Sequence, residues 1–115
     1  MPHPITRTEV QHAVAAGVTV IEALPAPYFE DGHLPGAANL PHDSDEPTIA
    51  AVLPDRNRTV VVYCANRACA NSGILGRRLD QLGYADVRVY EGGKEDWLEA
   101  GLALETMAEV EAVNR

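Results

Sequence analysis

The run Thr59-Val60-Val61-Val62-Tyr63 is unbroken by any charge, follows the polar stretch Asp55-Arg56-Asn57-Arg58, and stops at Cys64. A continuous β-branched run of this kind fits a strand covered on both faces in a parallel sheet, since a strand with one wet face would alternate. From Ala70 onward Ile74, Leu75, Leu79 and Leu82 recur at helical spacing and end at Gly83, which predicts a helix packed on that sheet. A thiol therefore stands at the carboxyl edge of the central strand, where open α/β sheets bind ligands. The next helix's free N–H groups and the positive end of its dipole point there and favour thiolate over thiol. Cys64 is the candidate nucleophile.

The remaining elements follow from caps and punctuation. Thr6-Arg7-Thr8-Glu9 is a capping-box pattern, and Val10, Ala13 and Val14 describe a first helix stopped at Gly17. Val18-Thr19-Val20-Ile21 reads as a strand. Leu24 to Pro41 is broken by prolines and glycines, with room for one helical turn at Pro27-Tyr28-Phe29-Glu30 and a brief strand from Ala37 to Leu40. Pro47 opens a short helix running through Leu53. Val87-Arg88-Val89-Tyr90 is a further strand, Glu91-Gly92-Gly93 a tight loop, and Lys94 to Ala100 a helix ended by Gly101. Strand and helix alternate, which predicts an α/β fold.

A chain of 115 residues is one domain, spanning 1–115 with a core from about 5 to 105. The tail 105–115 carries Met107, Val110 and Val113 at helical spacing. It reads as a last helix on the domain's own body, with a homodimer contact as the alternative. A net charge of -8 argues against nucleic acid and against anionic membrane surfaces. No stretch approaches the ~20 apolar residues of a membrane span, and Met1-Pro2-His3-Pro4 lacks the marks of a secretory signal, so the expected location is cytoplasmic. Two cysteines five positions apart suit nucleophile or redox chemistry in a reducing compartment better than a structural staple. His3, His12, His33 and His42 show no metal spacing, and no phosphate-binding glycine loop precedes a helix, so neither metal nor cofactor is expected.

Three ordered patches carry a family resemblance: Asp31-Gly32-His33-Leu34-Pro35-Gly36-Ala37 running to Pro41; the strand, Cys64 and following helix; and Leu82-Gly83-Tyr84 through Tyr90-Glu91-Gly92-Gly93 to Trp97 and Gly101-Leu102. Together they resemble the rhodanese-like domain from about Ile5 to Glu105. The resemblance implies a central, mostly parallel five-stranded sheet with helices on both faces. It also implies a cysteine, matched by Cys64, that carries sulfur as a persulfide. The Cys64 thiolate would take sulfane sulfur from a donor such as thiosulfate and hand it to a thiophilic acceptor such as cyanide or a thiol. Donor and acceptor would be small molecules or proteins. The loop Ala65, Asn66, Arg67, Ala68, Cys69 and Ala70 would turn successive N–H groups inward as an anion nest, with Arg67 orienting the substrate.

Two departures stand out. The loop has its one arginine in the middle, at Arg67. Where the family's first strand ends in Asp-Val-Arg, this chain has Glu22-Ala23-Leu24, so a structural ion pair is expected to lack its cation. His33 is expected to fix its loop through backbone hydrogen bonds, Trp97 to serve as a core or pocket-wall aromatic, and Tyr28 and Phe29 to line a pocket rim.

Cys69 is a candidate resolving thiol, able to attack an oxidised or persulfidated Cys64, or alternatively a helix-start residue with its sulfur in the core. A phosphatase loop would carry an arginine where this chain has Ala70. The stronger rival is a non-catalytic rhodanese-like module that binds a partner or senses redox state through Cys64 and Cys69.

Overall fold

A computed structural model describes residues 1–107 of the chain. Five strands, β1 (His3–Pro4), β2 (Thr19–Glu22), β3 (Ala38–Asn39), β4 (Thr59–Tyr63) and β5 (Asp86–Tyr90), form one sheet in the order β1-β5-β4-β2-β3. Every pairing is parallel. The helices are α1 (Arg7–Ala15), α2 (Ala26–Asp31), α3 (Glu46–Val52), α4 (Asn71–Gln81) and α5 (Gly93–Glu99). The expected α/β architecture with a five-stranded parallel sheet is the observed one.

The unbroken apolar run of β4 has its explanation in two cores. Val60 and Val62 face Ile21, Ile49, Leu75, Leu79 and Tyr84, the side covered by α3 and α4. Val61 and Tyr63 face Val10, Leu34, Tyr90 and Trp97, the side covered by α1 and α5. Both faces of β4 are dry because it lies in the middle of the sheet.

Local chemistry sets the element ends. Thr6 Oγ1 accepts from the Glu9 N–H while Glu9 Oε1 accepts from the Thr6 N–H, the anticipated capping box. Asp45 caps α3 by accepting from the Thr48 N–H at 2.9 Å. Tyr84 is buried, and its hydroxyl donates to Leu53 O at 2.6 Å, tying the end of α4 to the end of α3. Trp97 is a core residue whose Nε1–H donates to Ala103 O.

β1 was not foreseen. It is two residues long and exposed, and it pairs with Arg88 and Val89 at the sheet edge. Such a stub, with a proline in it, carries no periodicity. The anticipated tail helix over 105–115 lies almost wholly outside the described residues, as do Val110 and Val113.

Candidate active site

Cys64 directly follows β4, and two helices reach it. α5 approaches the strand end so closely that a Cβ on Gly93 would overlap Cys64 O, and Gly93 holds φ +61, which only glycine adopts without strain. The first amides of α5 then cap the strand: Lys94 N–H donates to Cys64 O at 3.1 Å and Glu95 N–H to Ala65 O at 2.9 Å. The N-cap of α4, Ala70, offers no side-chain hydrogen bond, which leaves the helix's leading amides to the two sulfurs. The Asn71 N–H serves the Cys69 thiol and the Ser72 N–H the Cys64 thiol.

Cys64 is only 1% exposed. Its thiol donates toward Cys69 O at 3.3 Å, with Asn66 O farther off at 4.0 Å, and Ser72 Oγ lies at 3.4 Å. The anticipated nest of loop amides is interrupted at Ala68 and Cys69. Ala68 N–H donates to Asn66 Oδ1 and Cys69 N–H to Asn66 O, so these two amides are spent inside the loop while two carbonyls face the sulfur. Carbonyl dipoles suit S–H and oppose S⁻. Burial, reinforced by Cys69, pushes the Cys64 thiol above the ordinary thiol range, against the pull of Ser72. Burial and the two carbonyls thus work against the thiolate expected from the helix terminus.

Cys69 is half-buried, and both cysteines are free thiols. Desolvation acts upward on it too, but the Cys64 S–H and the N–H groups of Asn71 and Ala65 outweigh that and hold it below the ordinary range. Its thiol shares a hydrogen bond with that of Cys64.

Arg67 is 76% exposed and pairs with Glu91 at 3.7 Å, so its guanidinium stands outside the sulfur's immediate shell. It borders a hollow of about 320 Å³ shared with Ala68, Glu95, Asp96 and Glu99, and a second of about 440 Å³ shared with Arg7 and Tyr90. Arg78 donates to His42 O and Ser44 O and ties α4 to the loop before α3, away from any substrate role.

The expected loss of the ion pair at Glu22 is overturned. Glu22, fully buried at the end of β2, accepts from Lys94 Nζ at 2.9 Å and from Tyr63 Oη at 2.9 Å. Lys94 supplies the cation that Leu24 cannot. Its Nζ also donates to Tyr28 O, so the pair ties α5 to α2 and to the ends of β2 and β4. His33 is a structural residue, as read from sequence. Its Nδ1 bonds Phe29 O at 2.8 Å, its ring stacks on Phe29 at 3.8 Å, and its backbone pairs with Glu105 in an antiparallel bridge. Phe29 is thereby held against His33. Sequence reasoning missed Ser72, whose hydroxyl and N–H both serve the Cys64 sulfur. Its position in the first turn after the loop was the available signal.

Among the described residues no helix is long and apolar enough to cross a membrane. They also contain no cluster of three or more histidine, cysteine or acidic side chains arranged to hold a metal ion.

The chain is similar to known proteins over most of its length. An HTH-type transcriptional regulator of Mycobacterium tuberculosis, Rv0324, is 31% identical over 92% of this chain and 46% of its own length. The thiosulfate sulfurtransferase PspE of Escherichia coli is 37% identical over 59% of this chain and 62% of its own. The chain thus spans about half to three fifths of the length of these relatives. The crystal structure of a thiosulfate sulfurtransferase from Pseudomonas aeruginosa superposes with a TM-score of 0.79 at 28% identity, covering 90% of this chain and 20% of that one. The family model for the Rhodanese-like domain matches residues 6–100. With β4, its terminal cysteine and the Gly92-Gly93 approach in the places that this match spans, the chain belongs to the rhodanese-like domain family.

Proposed function

We propose that the protein is a sulfurtransferase that carries sulfane sulfur on Cys64, taking it from a donor such as thiosulfate and passing it to a thiophile such as cyanide or a thiol. One observation carries the reading: a lone central-strand cysteine is set between the Ser72 hydroxyl at 3.4 Å and the Ser72 N–H, at the sheet edge where such folds bind ligands. Proton loss from Cys64 reverses the role of Ser72, whose hydroxyl then donates to the thiolate. The thiolate attacks the outer sulfur of thiosulfate, the S–S bond breaks, and sulfite leaves with the electron pair. The acceptor later takes that sulfur and returns Cys64 as thiolate. In this reading the loop from Ala65 to Ala70 opens toward the donor, and Arg67, released from Glu91, orients an anion.

Intact mass before and after thiosulfate or inorganic polysulfide tests it. One added sulfur atom, absent in Cys64→Ser and released as thiocyanate by cyanide, is the expected result. No uptake from either donor would refute it.

A second reading has its own support. The near-complete closure over Cys64 and the similarity to a protein named as a transcriptional regulator favour a module that reads redox state through Cys64 and Cys69 without turnover. A cysteine pair that oxidises but never gains sulfur would establish that reading.

A further inference from the structure

Cys69 is left unused by the sulfur-transfer cycle, yet its own backbone carbonyl touches the Cys64 sulfur at 3.3 Å. Cys64 is sealed at 1% exposure, with Ser72 Oγ at 3.4 Å and Cys69 O at 3.3 Å around its sulfur. The Cys69 thiol shares a hydrogen bond with that of Cys64 and is itself only half-buried. Backbone N–H groups of Ala65 and Asn71 converge on Cys69, which makes it the better anion of the two.

We infer that Cys69 is a second reacting thiol that discharges the Cys64 persulfide internally, releasing hydrosulfide and closing a Cys64–Cys69 disulfide. This rests on the sulfur-transfer reading, because the persulfide must first form. The step balances without an added oxidant. The Cys69 thiolate attacks Cys64 Sγ, a Cys64–Cys69 bond forms, and the Cys64–sulfane bond breaks with its electron pair leaving on the outer sulfur as HS⁻. The sulfane sulfur is reduced to sulfide, and the two thiol sulfurs are oxidised to the disulfide. A small-molecule thiol reductant then restores the pair. The consequence is a competition at the loaded site. An external acceptor that arrives in time takes the sulfur, and otherwise the protein empties itself as sulfide and locks until reduced.

The direction of attack follows from the contact. The Cys69 thiol shares its hydrogen bond with the inner sulfur, Cys64 Sγ, and attack there yields the disulfide, whereas attack on the outer sulfur would only move the persulfide to Cys69. The leaving group agrees with this. Hydrosulfide is a better leaving group than the Cys64 thiolate, which burial disfavours.

The experiment loads wild type, Cys69→Ser and Cys69→Ala with inorganic polysulfide. Each is freed of excess donor, alkylated under denaturing conditions at intervals, and followed by intact mass, peptide mapping and sulfide assay. Wild type is expected to lose its added sulfur at least about tenfold faster than either variant, in line with the advantage of an intramolecular thiol. It should release one sulfide per disulfide mapped to Cys64 and Cys69, while both variants hold the sulfur on Cys64. Equal retention in wild type and variants, or added sulfur mapped to Cys69, would overturn the inference while leaving sulfur transfer intact. Failure of all three proteins to take up sulfur would overturn both together.

Discussion

Lys94 joins two regions that the chain keeps far apart: its Nζ lies 2.9 Å from Glu22 Oε1, and its own N–H donates to Cys64 O at 3.1 Å. One residue thus neutralises the acid at the end of β2 and fixes the last residue of the β4 run. Lys94 is 14% exposed and Glu22 fully buried, and Glu22 Oε2 has no hydrogen-bond partner. The carboxylate therefore depends on this one cation and on Tyr63. Lys94→Met should cost about 3 kcal/mol at neutral pH, the usual penalty for stranding one member of a buried pair.

The pH dependence of that loss has a definite sign. Desolvation raises the Glu22 carboxyl above its ordinary 4.5, with the Lys94 and Tyr63 hydrogen bonds opposing it. A group raised in the folded state stabilises fully below its unfolded value and loses that contribution as pH climbs through the folded one. Removing Lys94 lifts the folded value further, so the variant's deficit should be small near pH 4.5 and grow toward neutrality. Urea unfolding at both pH values checks this, and equal deficits would mean that Lys94 does not hold Glu22 ionised.

Gly93→Ala should destabilise the domain by about 3 kcal/mol, since the methyl group would overlap Cys64 O at a backbone conformation hostile to side chains. Thermal unfolding measures the loss. An unchanged melting temperature would contradict the close docking of α5 on the strand end.

The two thiols should separate on alkylation. Burial raises Cys64, whereas its S–H and two backbone N–H groups, working against desolvation, lower Cys69. At neutral pH iodoacetamide should label Cys69 about tenfold faster than Cys64, and Cys64 labelling should climb only at alkaline pH. Peptide mapping of a short pulse gives the ratio. Faster labelling of Cys64 would place the anion on the wrong sulfur.

Arg67 and Glu91 should act in opposite directions on an anionic donor. Arg67→Ala removes the positive charge nearest the loop and should raise KM for thiosulfate about threefold, while Glu91→Gln frees that charge and should lower it by a similar factor. Salt should shrink both effects. Steady-state thiocyanate assays at two ionic strengths decide the matter, and insensitivity in both variants would remove Arg67 from substrate binding.

What the sequence made legible was the hydrophobic and capping grammar. Thr6 and Glu9 announced α1, the unbroken run Thr59–Tyr63 announced the central strand, and Gly93 before an amphipathic stretch marked the turn into α5. Partnerships across the chain were not legible. Nothing around Glu22 signals that Lys94 replaces the missing arginine, because that pairing is created by tertiary packing. Nor does a loop of this composition say which way its peptide groups turn. The residues named for the anion nest are all in the loop, but Asn66 captures the Ala68 and Cys69 amides and leaves carbonyls toward the sulfur. Peptide orientation is a matter of a few local hydrogen bonds, each worth only about 1 kcal/mol, and composition does not encode it.

The anchoring of the strand end by α5 divides labour within the loop. Cys64 O and Ala65 O are held by amides of α5, and the Cys64 sulfur is met by Ser72 on α4, so the position of that sulfur is a property of the scaffold. Arg67 and Ala68 are exposed, and Arg67 turns to Glu91 at 3.7 Å. They form an outward face, on which substitutions leave the sulfur where the sheet has put it.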